Sequence, residues 1–378
     1  MKLAEPIHIL AAGRLPQGRF HGRLAGQGAV RLGVTAVAAL LADPSLPRPG
    51  RVVWGLARSH TQGMNPGRTI ALGAGLGDSV LGATVNQACG SGLGAVILGA
   101  QALALGEAAP VLAGGSEAMS DTPHLLPGLR WGFGLGHVQA PDAMHQDGLR
   151  CPITGLLMGE TVEDLVRRRG GTREEADGYA LESHRRAAGA DFSRELLAHP
   201  ALDRDECVRA GIQLEDLRAL APVFQDGGQV TAGNASALAD GAAALLLARP
   251  GQAPGRTPLA RILAWSEVGV DPLDMGWAPV PAIRALLAET GLRRQDIALW
   301  ELNEAFAAQV LCCARDLALP LERLNVAGGG ISLGHPIGAS GARILVTLVH
   351  QLRLRGGGLG VATLGVGGGL GQAILVEI

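Results

Sequence analysis

Twice in this chain a strand-like run enters a turn of small residues and leaves as an apolar helix, at Val85–Leu98 and again at Val326–Leu348. The likeness is one of fold type, not of sequence. The interval between the two is far longer than a solenoid repeat, so the pattern predicts two related α/β domains, not a repeat array. The 378 residues are enough for two or three such units.

The residues between these landmarks support an α/β reading. Leu32–Leu41 has helical apolar spacing, and Arg51-Val52-Val53-Trp54-Gly55 reads as a short buried strand. Ala83–Asn86 is a further strand, Leu93–Leu105 a helix of Ala, Leu, Ile and Val, and Ala109–Gly114 another strand. Strand, helix, strand in this order signals a parallel sheet with crossover helices. From Glu117 to Ala237 strand patterns become scarce, and Thr172-Arg173-Glu174-Glu175 opens a helix with a Thr cap and an acid three residues on. A helical insertion is expected there. Ala239–Leu247 returns to a buried strand, followed by a helix at Pro281–Thr290, a strand at Ala298–Leu302, a helix at Glu304–Leu317 and a strand at Gly360–Leu364. The expected division is 1–117 plus 238–258, an insertion at 118–237, and 259–378.

Composition narrows the class. Hydrophobic residues reach 47% and charged ones 17%, a balance opposite to that of a disordered chain. With 57 glycines and only 3% aromatics, the core must be built from Ala, Val and Leu around closely approaching backbones. The net charge of −2 and the absence of a basic run argue against nucleic acid as a partner. Neither a signal peptide nor a membrane span is evident at the start, where the best apolar run, Val34–Ala42, is too short to cross a bilayer. A cytoplasmic protein is expected. Cys89, Cys151, Cys207, Cys312 and Cys313 form neither a metal-type pair nor a disulfide framework, so free thiols and no metal are expected.

Three segments carry chemistry. In Val85-Asn86-Gln87-Ala88-Cys89-Gly90-Ser91-Gly92, a cysteine stands at a strand-to-helix junction, where unpaired helix amides favour a thiolate. A buried structural cysteine is the competing reading. In Gly328-Gly329-Gly330-Ile331-Ser332-Leu333-Gly334-His335-Pro336, an imidazole among glycines is placed to accept a thiol proton or to donate to an oxyanion, or is simply a turn histidine. In Asn303-Glu304-Ala305-Phe306-Ala307, the asparagine is either a helix cap or the holder of a water at an oxyanion site.

Taken in this order, the three segments resemble the thiolase family, whose members carry a cysteine in VNxxCxSG, then NEAFA, then GGxxxxGHPxGxSGxR. Gln62–Arg68, Met158-Gly159-Glu160-Thr161 and Thr231–Ser236 extend the likeness over nearly the whole chain. The resemblance implies two similar α/β/α/β/α halves with an inserted, mostly helical loop domain, and acyl transfer between coenzyme A thioesters with no permanently bound cofactor. It implies that Cys89 takes the acyl group, that His335 activates the thiol and lines one oxyanion hole, and that Asn303 holds the water completing it. The amides of Cys89 and Gly367 would form the second hole. Ser236 matches a pantetheine contact and Met158 an acyl-pocket residue. A homodimer or homotetramer is implied as well.

Three positions depart from the family pattern. The last motif, C-x-G-G-G in most members, here reads Gly365-Val366-Gly367-Gly368-Gly369, so the acid/base thiol at the substrate α-carbon is missing. Leu157 replaces a frequent histidine, and Ala221 a basic residue that often contacts CoA phosphates. Acylation of Cys89 needs none of these groups. Condensation and thiolysis need a base, whose loss costs roughly 10²–10⁴-fold in rate. Cys151 is the candidate substitute, ahead of Cys312 and Cys313, which read as core. An enzyme limited to acyl transfer or hydrolysis, and a non-catalytic CoA-binding subunit, are the alternatives.

Overall fold

A computed structural model describes residues 1–378. In chain order the elements are β1 (Lys2–Arg14), β2 (Gly18–Arg19), α1 (Ala29–Leu40), β3 (Arg51–Gly55), α2 (Pro66–Gly73), β4 (Leu81–Val85), α3 (Ser91–Ala104) and β5 (Val111–Ala118). Then come α4 (Met158–Arg169), α5 (Arg173–Gly189), α6 (Leu214–Arg218), β6 (Ala239–Ala248), β7 (Ala260–Gly269), α7 (Pro279–Thr290) and β8 (Ile297–Leu302). The chain closes with α8 (Ala307–Leu317), α9 (Gly330–Leu333), α10 (Ile337–Leu354), β9 (Leu359–Val366) and β10 (Leu370–Glu377).

All ten strands join one mixed sheet in the order β4-β3-β5-β6-β1-β7-β10-β9-β8, with β2 paired to β6. Pairing is parallel for β3 with β4 and β5, and for β8 with β9. The strands between are antiparallel. Each half thus has a parallel outer part and an antiparallel inner part, and β1 with β7 forms the seam. Residues between β5 and β6 add no strand to the sheet. Their regular elements are α4, α5 and α6, joined by long loops. Thr172 caps α5 by accepting from the Glu175 amide at 3.2 Å, while the Glu175 carboxylate accepts from the Thr172 amide at 2.9 Å.

Two helices lie in the middle layer. α3 has only a weak apolar stripe because its burial is nearly all-round, and α10 is buried at every residue from Ile337 to Leu352. They pack on each other over glycine. A Cβ on Gly92 would come within 2.8 Å of the Ala342 amide nitrogen and 2.9 Å of the Gly338 carbonyl oxygen, closer than real Cβ contacts. A Cβ on Gly341 would run into the Leu93 amide. These bare contacts let α3 and α10 start side by side, which brings the residues just before each into one place. One correction to the sequence expectation concerns α8, which begins at Ala307, after an extended Phe306. Asn303 and Glu304 therefore lie in the loop after β8 and cap no helix. No helix is long and apolar enough to cross a membrane.

Candidate active site

Cys89 follows a strained residue. Ala88 has φ +47°, a left-handed conformation that costs an L residue on the order of 1–2 kcal/mol. Its neighbours hold it there: the Ala88 amide donates to Asn86 Oδ1 at 3.0 Å, the Ser91 hydroxyl donates to the Ala88 carbonyl at 2.7 Å, and the Gln87 amide donates to Ser91 Oγ at 2.9 Å. The turn presents Cys89 at the N-terminal end of α3. The amides of Gly367 and of Cys89 itself lie close enough to favour a charge on the sulfur. Burial still dominates and holds the thiol above its ordinary value of 9.0, against the pull of the Arg58 charge and the two amides. The resting group is a thiol that needs a base.

His335 stands between α9 and α10. Its amide donates to the Ala237 carbonyl at 2.8 Å, and the preceding Gly334 has φ +99°. Its Nδ1 lies 2.5 Å from Ser340 Oγ, and the Ser340 hydroxyl donates to the Pro336 carbonyl at 2.9 Å. With its one proton committed there, Ser340 accepts from Nδ1–H, and the neutral ring keeps a lone pair on Nε2. Burial first, then the charges of Arg343 and Arg58, lowers the imidazolium pKa to about 3, so the ring is neutral at working pH. Asn303 Nδ2 lies 3.5 Å from Nε2, and Asn303 Oδ1 is buried with no partner in the protein.

The Asn303 loop is anchored from below by Glu304. This carboxylate accepts from Tyr179 Oη at 2.9 Å, Ser183 Oγ at 2.7 Å, Asn325 Nδ2 at 3.1 Å and the Ile331 amide at 3.2 Å. One buried acid thereby ties α5, the Asn325 turn and the glycine run before His335 to the Asn303 loop. Cys89 packs on a small cluster of Met119, Met144 and Ile337, together with Ala57, Leu149 and Leu238. Ile337 is two residues beyond His335, so the cluster on which Cys89 packs adjoins the start of α10.

The other expected residues fall as follows. The Gly367 amide lies near enough to Cys89 to favour a charge on its sulfur, and Met158, at the start of α4, lies where its Sδ would be 3.7 Å from a Cβ on Gly367. Ser236 donates its amide to the Ala305 carbonyl at 2.9 Å, beside the Asn303 loop. Near it runs a cleft lined by Ala235, Ala237 and Leu238, with Arg19, Arg209 and one acid, Glu206, along its sides. Gly365 is not an open slot, since a Cβ there would run into the Met275 carbonyl oxygen. The Gly368 amide lies near enough to Cys151 to favour its thiolate, in the same turn whose previous amide acts on Cys89. Burial raises that thiol, but the Thr154 side chain and the amides of Thr154, Ile153 and Gly368 outweigh it and leave the pKa below the ordinary value. Cys312 and Cys313 sit in the outer core of the second half, turned to the carbonyls of Gly170 and Gly276. No group of three His, Cys, Asp or Glu side chains is arranged to hold a metal.

Sequence reasoning passed over Arg58 and Glu117. Both are buried, at 4% and 1% exposure, with Arg58 Nη1 3.9 Å from Glu117 Oε2. Glu117 accepts from the amides of Ala57, Arg58 and Gly338, and burial lifts its pKa to about 7. The only signal available was an arginine after the apolar strand Arg51–Gly55, and most arginines in such places face water.

A duplicated α/β unit with a thiol and an imidazole before its two paired, buried helices defines a class, that of acyl-transfer proteins. Family models for the thiolase N-terminal domain and the thiolase C-terminal domain match residues 7–250 and 256–378. The chain belongs to the thiolase family. It is 44% identical to an acetyl-CoA acetyltransferase of Escherichia coli and 43% identical to one of Pseudomonas aeruginosa, in each case over 98% of both chains. Among solved structures it matches human mitochondrial 3-ketoacyl-CoA thiolase in complex with CoA, with TM-score 0.96, 37% identity and coverage of 100% of this chain and 99% of that one. It matches the Bacillus anthracis acetyl-CoA acetyltransferase with TM-score 0.96, 40% identity and full coverage of both.

Proposed function

We propose that this protein is an acyl-CoA acyltransferase that carries the acyl group as a thioester on Cys89, as an acetyl-CoA acetyltransferase or 3-ketoacyl-CoA thiolase does. The observation that carries the reading is the complementary state of two groups: a thiol held protonated in a buried turn, and an imidazole whose lone pair is kept on Nε2 by Ser340. Nε2 takes the Cys89 proton, and the sulfur attacks the acyl-CoA carbonyl. As the carbonyl oxygen becomes an oxyanion, the Gly367 and Cys89 amides are placed to receive it. Collapse expels the CoA thiolate, which takes the proton back from Nε2. Splitting the exchange through a covalent thioester replaces one difficult step by two easier ones.

The pantetheine arm fits the cleft beside Ser236, where Arg19 and Arg209 offer charge to CoA phosphates in place of the group that Ala221 lacks. Condensation then needs a base for the α-proton of a second acyl-CoA. We assign it to Cys151, whose sulfur shares the last glycine turn with Cys89. The Cys151 thiolate takes the proton, the enolate carbon attacks the acyl-Cys89 carbonyl, and the Cys89 thiolate that leaves regains a proton from the Cys151 thiol. A soluble homo-oligomer working in the cytoplasm on fatty-acyl or acetyl thioesters is the setting this reading implies.

The test is intact-protein mass spectrometry after incubation with acetyl-CoA. An acetyl adduct on wild type, absent in Cys89→Ala and much slower to form in His335→Ala, is expected. An unlabelled, folded wild type overturns the reading.

A further inference from the structure

Arg58 is a cation without a hydrogen-bonded counterpart. Its guanidinium is buried, and neither Nε, Nη1 nor Nη2 has a hydrogen-bond partner in the protein. Glu117 is the nearest acid, but at 3.9 Å it makes no hydrogen bond to the guanidinium and spends its oxygens on three backbone amides. Leaving a guanidinium buried and unpaired costs several kcal/mol, far more than an ordinary surface arginine. A side chain that brings this penalty to a folded protein calls for a partner that arrives later.

The place identifies that partner. Ala57, the residue before Arg58, packs on the same cluster as Cys89, and the Arg58 charge is felt by both Cys89 and His335. Its guanidinium lies flat on the backbone of Gly148, in the turn His145–Leu149, where a side chain at 148 would collide with it. Its neighbours Ala57 and Leu149 are walls of the apolar cluster around Cys89. The phosphates of CoA are at the far end of the pantetheine arm from the thioester, whereas Arg58 is at the end that holds the acyl group. Arg343, also buried with free nitrogens, differs, for it lies 3.9 Å from Glu301 and feels the charges of Glu304 and Glu195 as well.

We propose that Arg58 is an anion subsite of the acyl pocket, and that the protein accepts acyl groups ending in a carboxylate, carried by their methylenes along Met119, Met144 and Ile337 to the guanidinium. This proposal rests on the reading of Cys89 as the acyl carrier. A planar guanidinium meets a carboxylate through two parallel hydrogen bonds, which gives both energy and orientation.

The experiment pairs ω-carboxyacyl thioesters with neutral ones of equal length, glutaryl-CoA with pentanoyl-CoA and adipyl-CoA with hexanoyl-CoA. The rate at which each labels Cys89 is read by intact-protein mass spectrometry at subsaturating thioester. For the pair that fits the pocket, wild type should favour the carboxylated member by on the order of tenfold or more, the range of a charge-assisted hydrogen bond. Arg58→Met should erase that preference, Arg58→Lys should keep part of it, and Gly148→Ala, which displaces the guanidinium, should reduce it. A wild type that prefers the neutral member of both pairs overturns the subsite, and needs no variant to fold. So does an Arg58→Met variant that slows both members equally, which is the mark of an arginine that merely favours the thiolate. Acetyl-CoA is run alongside: labelling by acetyl-CoA with no preference for carboxylates sinks the subsite alone, and no labelling by any thioester sinks the Cys89 reading with it.

Discussion

In the proposed mechanism the α-carbon base is Cys151, because Gly365 stands where the family pattern has a cysteine. The strand at Gly365 runs against the Met275 carbonyl, so a side chain there has no room. Restoring the family's thiol by Gly365→Cys should therefore add no condensation activity and should destabilise the fold by about 1–3 kcal/mol, the range of overpacking. Cys151 is the better place to look. Cys151→Ser should lower acetoacetyl-CoA thiolysis and condensation by roughly 10²-fold or more, as loss of a general base does. Acylation of Cys89, which moves no α-proton, should change far less. Equal losses in both assays would return Cys151 to a structural role. At this scale Cys89, His335 and Asn303 were singled out by the order of three short motifs, since each segment alone also admitted a structural reading, and the helix cap read at Asn303 is absent. Arg58, Glu117 and the contact between Cys151 and Gly368 were not, since each owes its character to residues far away in the chain: Arg58 to Gly148, Glu117 to Gly338, Cys151 to the last turn. Glu304 was visible as a letter in its motif, but its hydrogen bonds to Tyr179, Ser183 and Asn325 were not.

The relation between α3 and α10 decides whether the site exists. Both helices are apolar around most of their circumference, which a sequence shows plainly, and both begin with small residues. What a sequence does not show is that Gly92 and Gly341 face each other's backbone, so that one methyl group on either forces the helices apart. Gly92→Ala should cost about 1–3 kcal/mol of stability by overpacking, and should slow Cys89 acylation more than the small loss of folded protein explains, because the thiol and the imidazole move apart. Thermal unfolding together with single-turnover labelling at a temperature where the variant is fully folded separates the two effects. Other elements were read less well. β1, β7 and β10 went unrecognised, because a buried strand such as Ile9–Gly13 is a continuous apolar run with no alternation to mark it. The helix expected from Glu304 begins three residues later, since the Asn303 loop is pinned by Glu304 from inside the protein rather than by a local cap.

In the whole molecule, β1 lies between β6 of one half and β7 of the other, so the two halves share a single sheet and should unfold in one transition. A local reading finds two α/β regions but not the seam, which pairs residues such as His8 with both Ala248 and Arg261. Burial inside this shared core leaves titratable groups whose protons are linked to folding. His335 and His184, lowered from 6.5 to about 3 and about 4 by burial first, contribute stability that is full above their unfolded value and is lost as pH falls through the folded ones. Glu117 runs the other way. Burial raises it from 4.5 to about 7 against the opposing charge of Arg58, so its contribution is full below the unfolded value and is lost as pH rises through the folded one. These slopes overlap and oppose each other in mildly acidic solution, so a wild-type profile alone would not resolve them. Comparing wild type with Glu117→Gln removes every slope the two proteins share. Between about pH 5 and about pH 8 the stability difference should move in the variant's favour by on the order of 3 kcal/mol, whichever protein is the more stable at the start. Denaturant unfolding of both proteins across that range reads it directly. A difference that stays constant would mean that Glu117 keeps an ordinary carboxylate's charge in the folded state, and that Arg58 already has its partner.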